Sequence, residues 1–238
     1  MMLLAVQAED RMVRSHGLDI HYRMIGQGKP LLILGGGPGD NADRYLSLCD
    51  LLSKNTLCIL VEQRGTGKST PPACDATTIH VGLTLDDFEA IRQQTGLKEW
   101  SVLGFSYGGW LASLYAHEYP QSISKLVLLG SMGLNWDGLE SFEDNITSRL
   151  HPEDLEKVAY WSDKNRLKAN RQHAITEIVR AKMPAYFYSR QKSLEISETI
   201  CDSDFNFSMG RFIYEDAVKR KLDLTQMGNP FSHPVLIV

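Results

Sequence analysis

The sequence predicts an α/β protein, with a mostly parallel, doubly wound sheet and a helical segment inserted late in the chain. Three observations lead there. The runs "PLLILG" (30–35), "NTLCILV" (55–61), "WSVLGF" (100–105) and "KLVLLGS" (125–131) are nearly continuous in apolar residues, as strands covered on both faces are. Helical stretches alternate with these runs, the pattern of crossover helices between parallel strands. After Met132 the buried-strand pattern stops and a charged, helix-rich segment takes over.

Taken in order, "RMVRS" and "LDIHYRMIG" flank His16-Gly17 and predict an antiparallel hairpin. Between the third and fourth runs, "LTLDDFEAIRQQTG" sets Leu85, Phe88 and Ile91 on one helical face, with Thr84 as N-cap and Gly96 as stop. "YGGWLASLYAHEYP" is a helix that follows Ser106 and ends at Pro120. "PEDLEKVAYW" opens on a proline in its first turn, a favoured place. "KNRLKANRQHAITEIVRAKM" spaces Leu167, Ala174, Ile175, Ile178 and Val179 as a helix does. A last helix, "YEDAVKRKLDL", leads to "PVLIV", read as a buried strand. The expected organisation is a core over 1–133, a helical cap over 134–224 and a return to the core over 225–238.

Bulk properties remove several function classes. The 238 residues carry a net charge of −4, which disfavours nucleic acid and anionic membrane surfaces as partners. No apolar run approaches the ~20 residues that span a bilayer. Cys49, Cys58, Cys74 and Cys201 form no C-x-x-C pair and have no histidine at zinc spacing, so neither a metal nor a cofactor is expected. Cys58, inside "TLCILV", reads as a small buried side chain. The opening "MMLLAVQAEDR" lacks a basic start and is short for a signal peptide. A cytoplasmic location is therefore favoured, with a trimmed, secreted or periplasmic form as the alternative. The sequons at Asn145 and Asn206 would matter only in a secreted, glycosylated form.

The strongest chemical signal is "VLGFSYGGWLA". Gly104-Phe105-Ser106-Tyr107-Gly108 fits G-x-S-x-G between a buried strand and a helix, the setting of a nucleophile elbow. Such a turn lifts a serine hydroxyl to the head of a helix, where the dipole favours negative charge. Upstream, "LLILGGGPGD" places a glycine loop after a strand, where main-chain N–H groups can approach a substrate oxyanion. The natural donor pair is Gly37 N–H and Tyr107 N–H. A phosphate-binding reading of that loop fails, because Gly35, Gly37 and Asp40 do not complete G-x-G-x-x-G. Gly67-Lys68-Ser69 suggests a P-loop, but the position five before Gly67 is Glu62 rather than glycine.

"GGGPG", "EQRGTGKS" and "GFSYGGWLASLYAHEYPQSISKLVLLGS", in this order and spacing, resemble the proline iminopeptidase family of α/β-hydrolases over roughly residues 20–133. That family's motifs run HGGPG, DQRGxGxS and GxSxGG. The resemblance implies an α/β-hydrolase fold with Ser106 as nucleophile and Gly37 with Tyr107 as oxyanion hole. It also implies Arg64, Gly65 and Ser69 in a structural loop bordering the site. Gly35 replaces the family's first histidine and Glu62 its aspartate, and relatives with similar motifs cleave esters, lactones or amides. Cap glutamates hold the substrate's free amino group in the iminopeptidases. Glu195, Glu198 and Glu215 are the cap candidates here, with Glu195 and Glu215 retained, although a solvated helix face explains each more simply.

In this fold the chain order is serine, acid, histidine. "HPVLIV" reads as the strand that should deliver the acid, so the expectation is a core that lacks its C-terminal part and a chain cut before its triad acid and base. His117 lies eleven residues into the helix after Ser106, roughly 16 Å along its axis. His233 stands at the far end of the last strand, His151 and His173 lie in the cap, and His16 and His21 lie in the first hairpin. His80 precedes the helix before the elbow and comes in the wrong order. The sequence thus predicts a serine hydrolase in ancestry, acting on a small amide, peptide or ester through an acyl-enzyme at Ser106 and inactive as it stands. The alternative is a non-catalytic, hydrolase-like protein that binds a small acyl compound or a partner chain. An exposed last strand would also favour self-association.

Overall fold

The computed structural model describes residues 8–238. The opening "MMLLAVQ", on which the reading of a trimmed signal turns, lies outside them.

The strands are β1 (Ala8–Ser15), β2 (Leu18–Ile25), β3 (Lys29–Leu34), β4 (Thr56–Val61), β5 (Trp100–Phe105), β6 (Ile123–Leu129) and β7 (Val235–Ile237). They form one sheet in the order β1-β2-β4-β3-β5-β6-β7. β1 and β2 pair antiparallel across His16 (φ +44) and Gly17 (φ +78), two left-handed residues that suit a two-residue hairpin turn. β2 also runs antiparallel to β4, whereas β3, β4, β5, β6 and β7 are mutually parallel. The apolar runs pack as their composition demands. Leu32, Ile33, Leu34, Ile59 and Val102 are fully buried.

Among the helices of the sheet, α1 (Leu46–Leu52) follows β3, α2 (Val81–Gln94) precedes β5 and α3 (Tyr107–Glu118) follows it. α2 buries Leu85, Phe88 and Ile91, as their spacing requires, and Gly96 beyond it takes φ +70. Its cap differs from expectation. The helix begins at Val81, and His80 Nδ1 accepts the Leu83 N–H, while Thr84 is buried in the second turn with its hydroxyl donating to the His80 carbonyl.

The chain divides into two compact units, one of residues 1–135 with 208–238 and one of residues 136–207. The second is all helix: α4 (Leu139–Arg149), α5 (Pro152–Trp161), α6 (Lys164–Ala169), α7 (Arg171–Lys182) and α8 (Arg190–Thr199). The stretch read as one helical pattern over 164–183 is two helices. Asn170 ends α6 in an extended conformation, and its side chain accepts the His173 N–H to start α7.

α9 (Phe207–Arg220) starts seven residues before Tyr214, where the sequence pattern placed the last helix. From Ser208 onward it groups with the first unit, whereas the sequence-based division kept residues up to 224 in the cap. Two contacts explain this: Asp216 accepts the Val81 N–H at 2.9 Å, and Gly210 lies against Pro38.

β7 forms where "PVLIV" predicts it and in the expected order after the helical segment. It is not buried, however: Val235, Leu236 and Ile237 are 47%, 58% and 73% exposed. β6 is its only strand partner among the described residues, so one edge and both faces of β7 meet solvent.

Candidate active site

Ser106 stands between β5 and α3 at φ +53, ψ −119, a region that a residue with a side chain enters at a cost of about 1–3 kcal/mol. Three backbone hydrogen bonds hold it there. Its N–H donates to the Leu129 carbonyl at 3.2 Å, and its carbonyl accepts from Gly109 N–H and Met132 N–H, both at 2.9 Å. The end of β6 and the first turn of α3 therefore fix the serine backbone from two sides.

The surrounding glycines follow from packing. A Cβ at Gly104 would lie 2.2 Å from the Gly108 carbonyl oxygen, and one at Gly109 would lie 2.2 Å from Ser131 Oγ. At Gly108 it would meet the carbonyl oxygens of Leu34 and Gly35, each at 2.4 Å. α3 thus starts pressed against the end of β3, and no bulkier residue fits.

The glycine loop reaches the serine directly: a Cβ at Gly36 would be 3.1 Å from Ser106 Cβ. Gly36 N–H donates to the Tyr45 hydroxyl at 2.6 Å, which donates to Asp40 Oδ2 at 2.8 Å, and Asp40 N–H returns to the Gly37 carbonyl at 3.0 Å. This closed circuit holds the loop. Gly37, at φ +54, donates its N–H to no partner among the described residues. Tyr107 is the first residue of α3, where an N–H has no intrahelical acceptor. Burial pushes the Tyr107 phenol pKa well up, with the Asp216 carboxylate adding to the effect, so it stays neutral at ordinary pH.

The "EQRGTGKS" segment braces this loop. Arg64, buried, grips Asp87 through Nε and Nη2 at 2.9 and 2.6 Å and donates to the Ser15 carbonyl at 3.2 Å. Glu62 Oε2 accepts the Lys68 N–H at 2.5 Å, and Ser69 Oγ accepts the His21 N–H at 2.8 Å. Gln63 Nε2 reaches the Gly35 carbonyl at 3.4 Å, tying brace to loop.

No histidine completes a triad among the described residues. The Ser106 side chain makes no capping bond to its own helix. His16 pairs with Asp86 at 2.8 Å, and His173 lies 3.3 Å from Asp202. His21, buried, lies 2.6 Å from Asp10 and 3.2 Å from Glu62. It sits on β2, three strands from β5 and so about 14 Å away. The His80 ring caps α2, and burial holds its pKa below the usual histidine value. His117 is in the last turn of α3, His151 caps α5, and His233 precedes β7 at its amino end.

Glu195 and Glu215, the carboxylates proposed for an amine, are exposed and have partners on their own helices. Gln191 Nε2 donates to Glu195 at 3.2 Å, and Glu215 lies 3.9 Å from Arg211. Glu198 is exposed on α8.

Sequence reasoning passed over Tyr45 and weighed Asp40 only against a phosphate-binding pattern, although Asp40 directly follows the glycine loop. It also missed the start of α9, where the Met209 Sδ lies 3.2 Å from the place of a Gly65 Cβ and Gly210 faces Pro38. Nothing in the sequence of a helix signals which distant loop it will meet. Among the described residues no cluster of three or more metal-ligating side chains occurs, and no helix is long and apolar enough to cross a membrane.

A family model described as "alpha/beta hydrolase fold" matches residues 29–195. The chain is 35% identical over 136 residues to a proline iminopeptidase from Xylella fastidiosa (strain 9a5c), a match covering 56% of the chain and 43% of that relative. The chain thus spans less than half the length of the curated relatives it matches. An α/β fold family hydrolase from Bacillus anthracis str. Sterne superposes with a TM-score of 0.63 at 18% identity, covering 98% of this chain and 81% of that one. An epoxide hydrolase from Vigna radiata gives 0.64 at 17% identity, covering 97% and 79%. At these identities the two structures speak for the fold alone.

Proposed function

The chain belongs to the alpha/beta hydrolase fold family, and on that premise we propose that its site is built for acyl transfer to Ser106 from a small ester, amide or short peptide. The observation that carries this reading is the serine at φ +53, at the head of α3, with the glycine loop against it. In the proposed reaction Ser106 Oγ attacks the substrate carbonyl and gives its proton to a base. The developing oxyanion accepts hydrogen bonds from Gly37 and Tyr107 N–H, a contribution of several kcal/mol in a dry site. The alcohol or amine then leaves, and water hydrolyses the acyl-enzyme. The likeness to curated proline iminopeptidases favours peptides with an amino-terminal proline as the first substrates to try.

Among the described residues the histidines are engaged with other groups or placed away from Ser106, so none of them is assigned as that base. Without a base a serine hydroxyl is a weak nucleophile, and removing its base lowers turnover by several orders of magnitude. Oxyanion stabilisation and binding alone leave roughly 10³–10⁴-fold over water. That no histidine among the described residues partners Ser106 also favours a second reading, a non-catalytic binder of small acyl compounds.

A fluorophosphonate probe separates the two. Slow labelling of wild type that is absent from Ser106→Ala supports the acyl-transfer site, whereas no labelling under prolonged exposure supports the binder. Rates on p-nitrophenyl esters and proline p-nitroanilide then rank esterase against iminopeptidase.

A further inference from the structure

Within the second unit a cavity of about 450 Å³ opens where α4 ends, α5 and α8 begin and the turn Met183–Tyr186 passes. Its size falls in the range of about 300–1,000 Å³ typical of small-molecule sites. Its lining combines basic side chains with aromatic rings: Arg149, His151 and Arg190 with Tyr186 and Phe187.

The three basic groups are not equivalent. Arg190 is committed, donating to both oxygens of the buried Asp154 at 2.6 and 3.0 Å and to Glu153 at 2.9 Å. His151 lies 3.5 Å from Glu153, and its main-chain N–H donates to Asp154. Arg149 pairs with no acidic side chain among the described residues. Its one hydrogen bond, to the Ala185 carbonyl, is at 3.5 Å, the outer limit of such a bond. A guanidinium at the mouth of a cavity with its fork unused calls for an oxyanion. The amino ends of α5 and α8, each ten residues long, add positive potential at the same place. Glu153, beside His151 and Arg190, disfavours a dianion. The rings of Tyr186 and Phe187 offer an apolar wall to the rest of the ligand.

We propose that this cavity is a binding site for a small monocarboxylate with an aromatic body, held by a two-pronged bond from Arg149. The site belongs to the second unit alone and needs no reaction at Ser106, so it stands or falls apart from the acyl-transfer reading.

The test uses 3-phenylpropionate and its neutral analogue 3-phenylpropanamide, followed by ligand-observed NMR at low ionic strength on the 238-residue chain. Wild type should bind the carboxylate saturably and the amide roughly tenfold or more weakly, the size of one lost charge-assisted pair. Arg149→Gln, exposed and with a single marginal contact, should keep the wild-type circular dichroism and lose the preference for the carboxylate. Absence of saturable carboxylate binding to wild type would overturn the proposal. So would equal affinity for acid and amide, or unchanged carboxylate affinity in Arg149→Gln.

Discussion

At the scale of single residues, the molecule places its charges where burial and pairing outweigh each other differently. Asp154 is the clearest case outside the candidate active site. Burial alone would raise its pKa, but the Arg190 guanidinium and the His151 N–H hold it below the ordinary aspartate value. A folded-state pKa below the unfolded one gives stability that is present above the unfolded pKa and disappears as the carboxylate protonates. The second unit should therefore hold its stability at neutral pH and lose it as pH falls below about 4. Asp154→Asn should lower the melting midpoint at pH 7 by roughly 2–6 °C and flatten its acid dependence. Thermal unfolding followed at pH 7 and pH 3.5 checks both, and an unchanged acid slope in the variant would count against the assignment. Ser106 illustrates a different use of a single residue. Its left-handed backbone is costly by itself and is held by bonds from β6 and α3, so the strain belongs to the site rather than to a local preference.

At the scale of elements, the strands and α3 are the parts most fully written in the sequence. Four apolar runs become β3, β4, β5 and β6 because only sheet interior can cover both faces of such a run. The glycines around Ser106 are legible for the same reason: each marks a place where main chain touches main chain or a neighbouring side chain. Gly108 gives a sharp test. Alanine there gains about 1 kcal/mol in helix propensity, yet its Cβ would press on two carbonyl oxygens. Backbone cannot rotate away as a side chain can, so the overpacking cost should reach the upper end of about 1–3 kcal/mol. Gly108→Ala should therefore destabilise the first unit by about 2 kcal/mol net, measurable by urea denaturation; a neutral or stabilising result would mean that the loop and α3 are not packed as described. The errors at this scale are ones of boundary. Thr84 is a good capping residue by type, but His80 takes the role because α2 starts a turn earlier. Asn170 splits one helical pattern into two through a side-chain bond that periodicity does not report.

At the scale of the whole molecule, the two units differ in how much apolar surface they hide. The first contains fully buried strand residues such as Leu32, Ile33, Ile59 and Val102. One core cluster of the second consists of Ile146, Leu150 and Ala185, with Val158 packed beside it. Local opening follows buried apolar contact, so the second unit should open first. Hydrogen exchange should reach amides of α4–α8 at least ~10-fold faster than those of β3–β5. Equal protection across both would instead mean that the chain opens as one cooperative body.

The sequence by itself determined the class of fold, the order of its strands along the chain, the helices α2, α3 and α5, and the turn that carries Ser106. These depend on periodicity and on short-range steric rules, which a linear text records. Tertiary structure alone decided that the first turns of α9 stand beside Pro38 and Gly65, that Tyr45 and Asp40 close the glycine loop, and that β7 is exposed. It also decided that Arg149 is left beside a cavity without an acidic partner among the described residues, while Arg190, a residue of the same type, is fully engaged. The physical reason is common to all of these. Each depends on which distant residue arrives within a few ångströms, and residue type and spacing fix what a side chain can do but not what it meets.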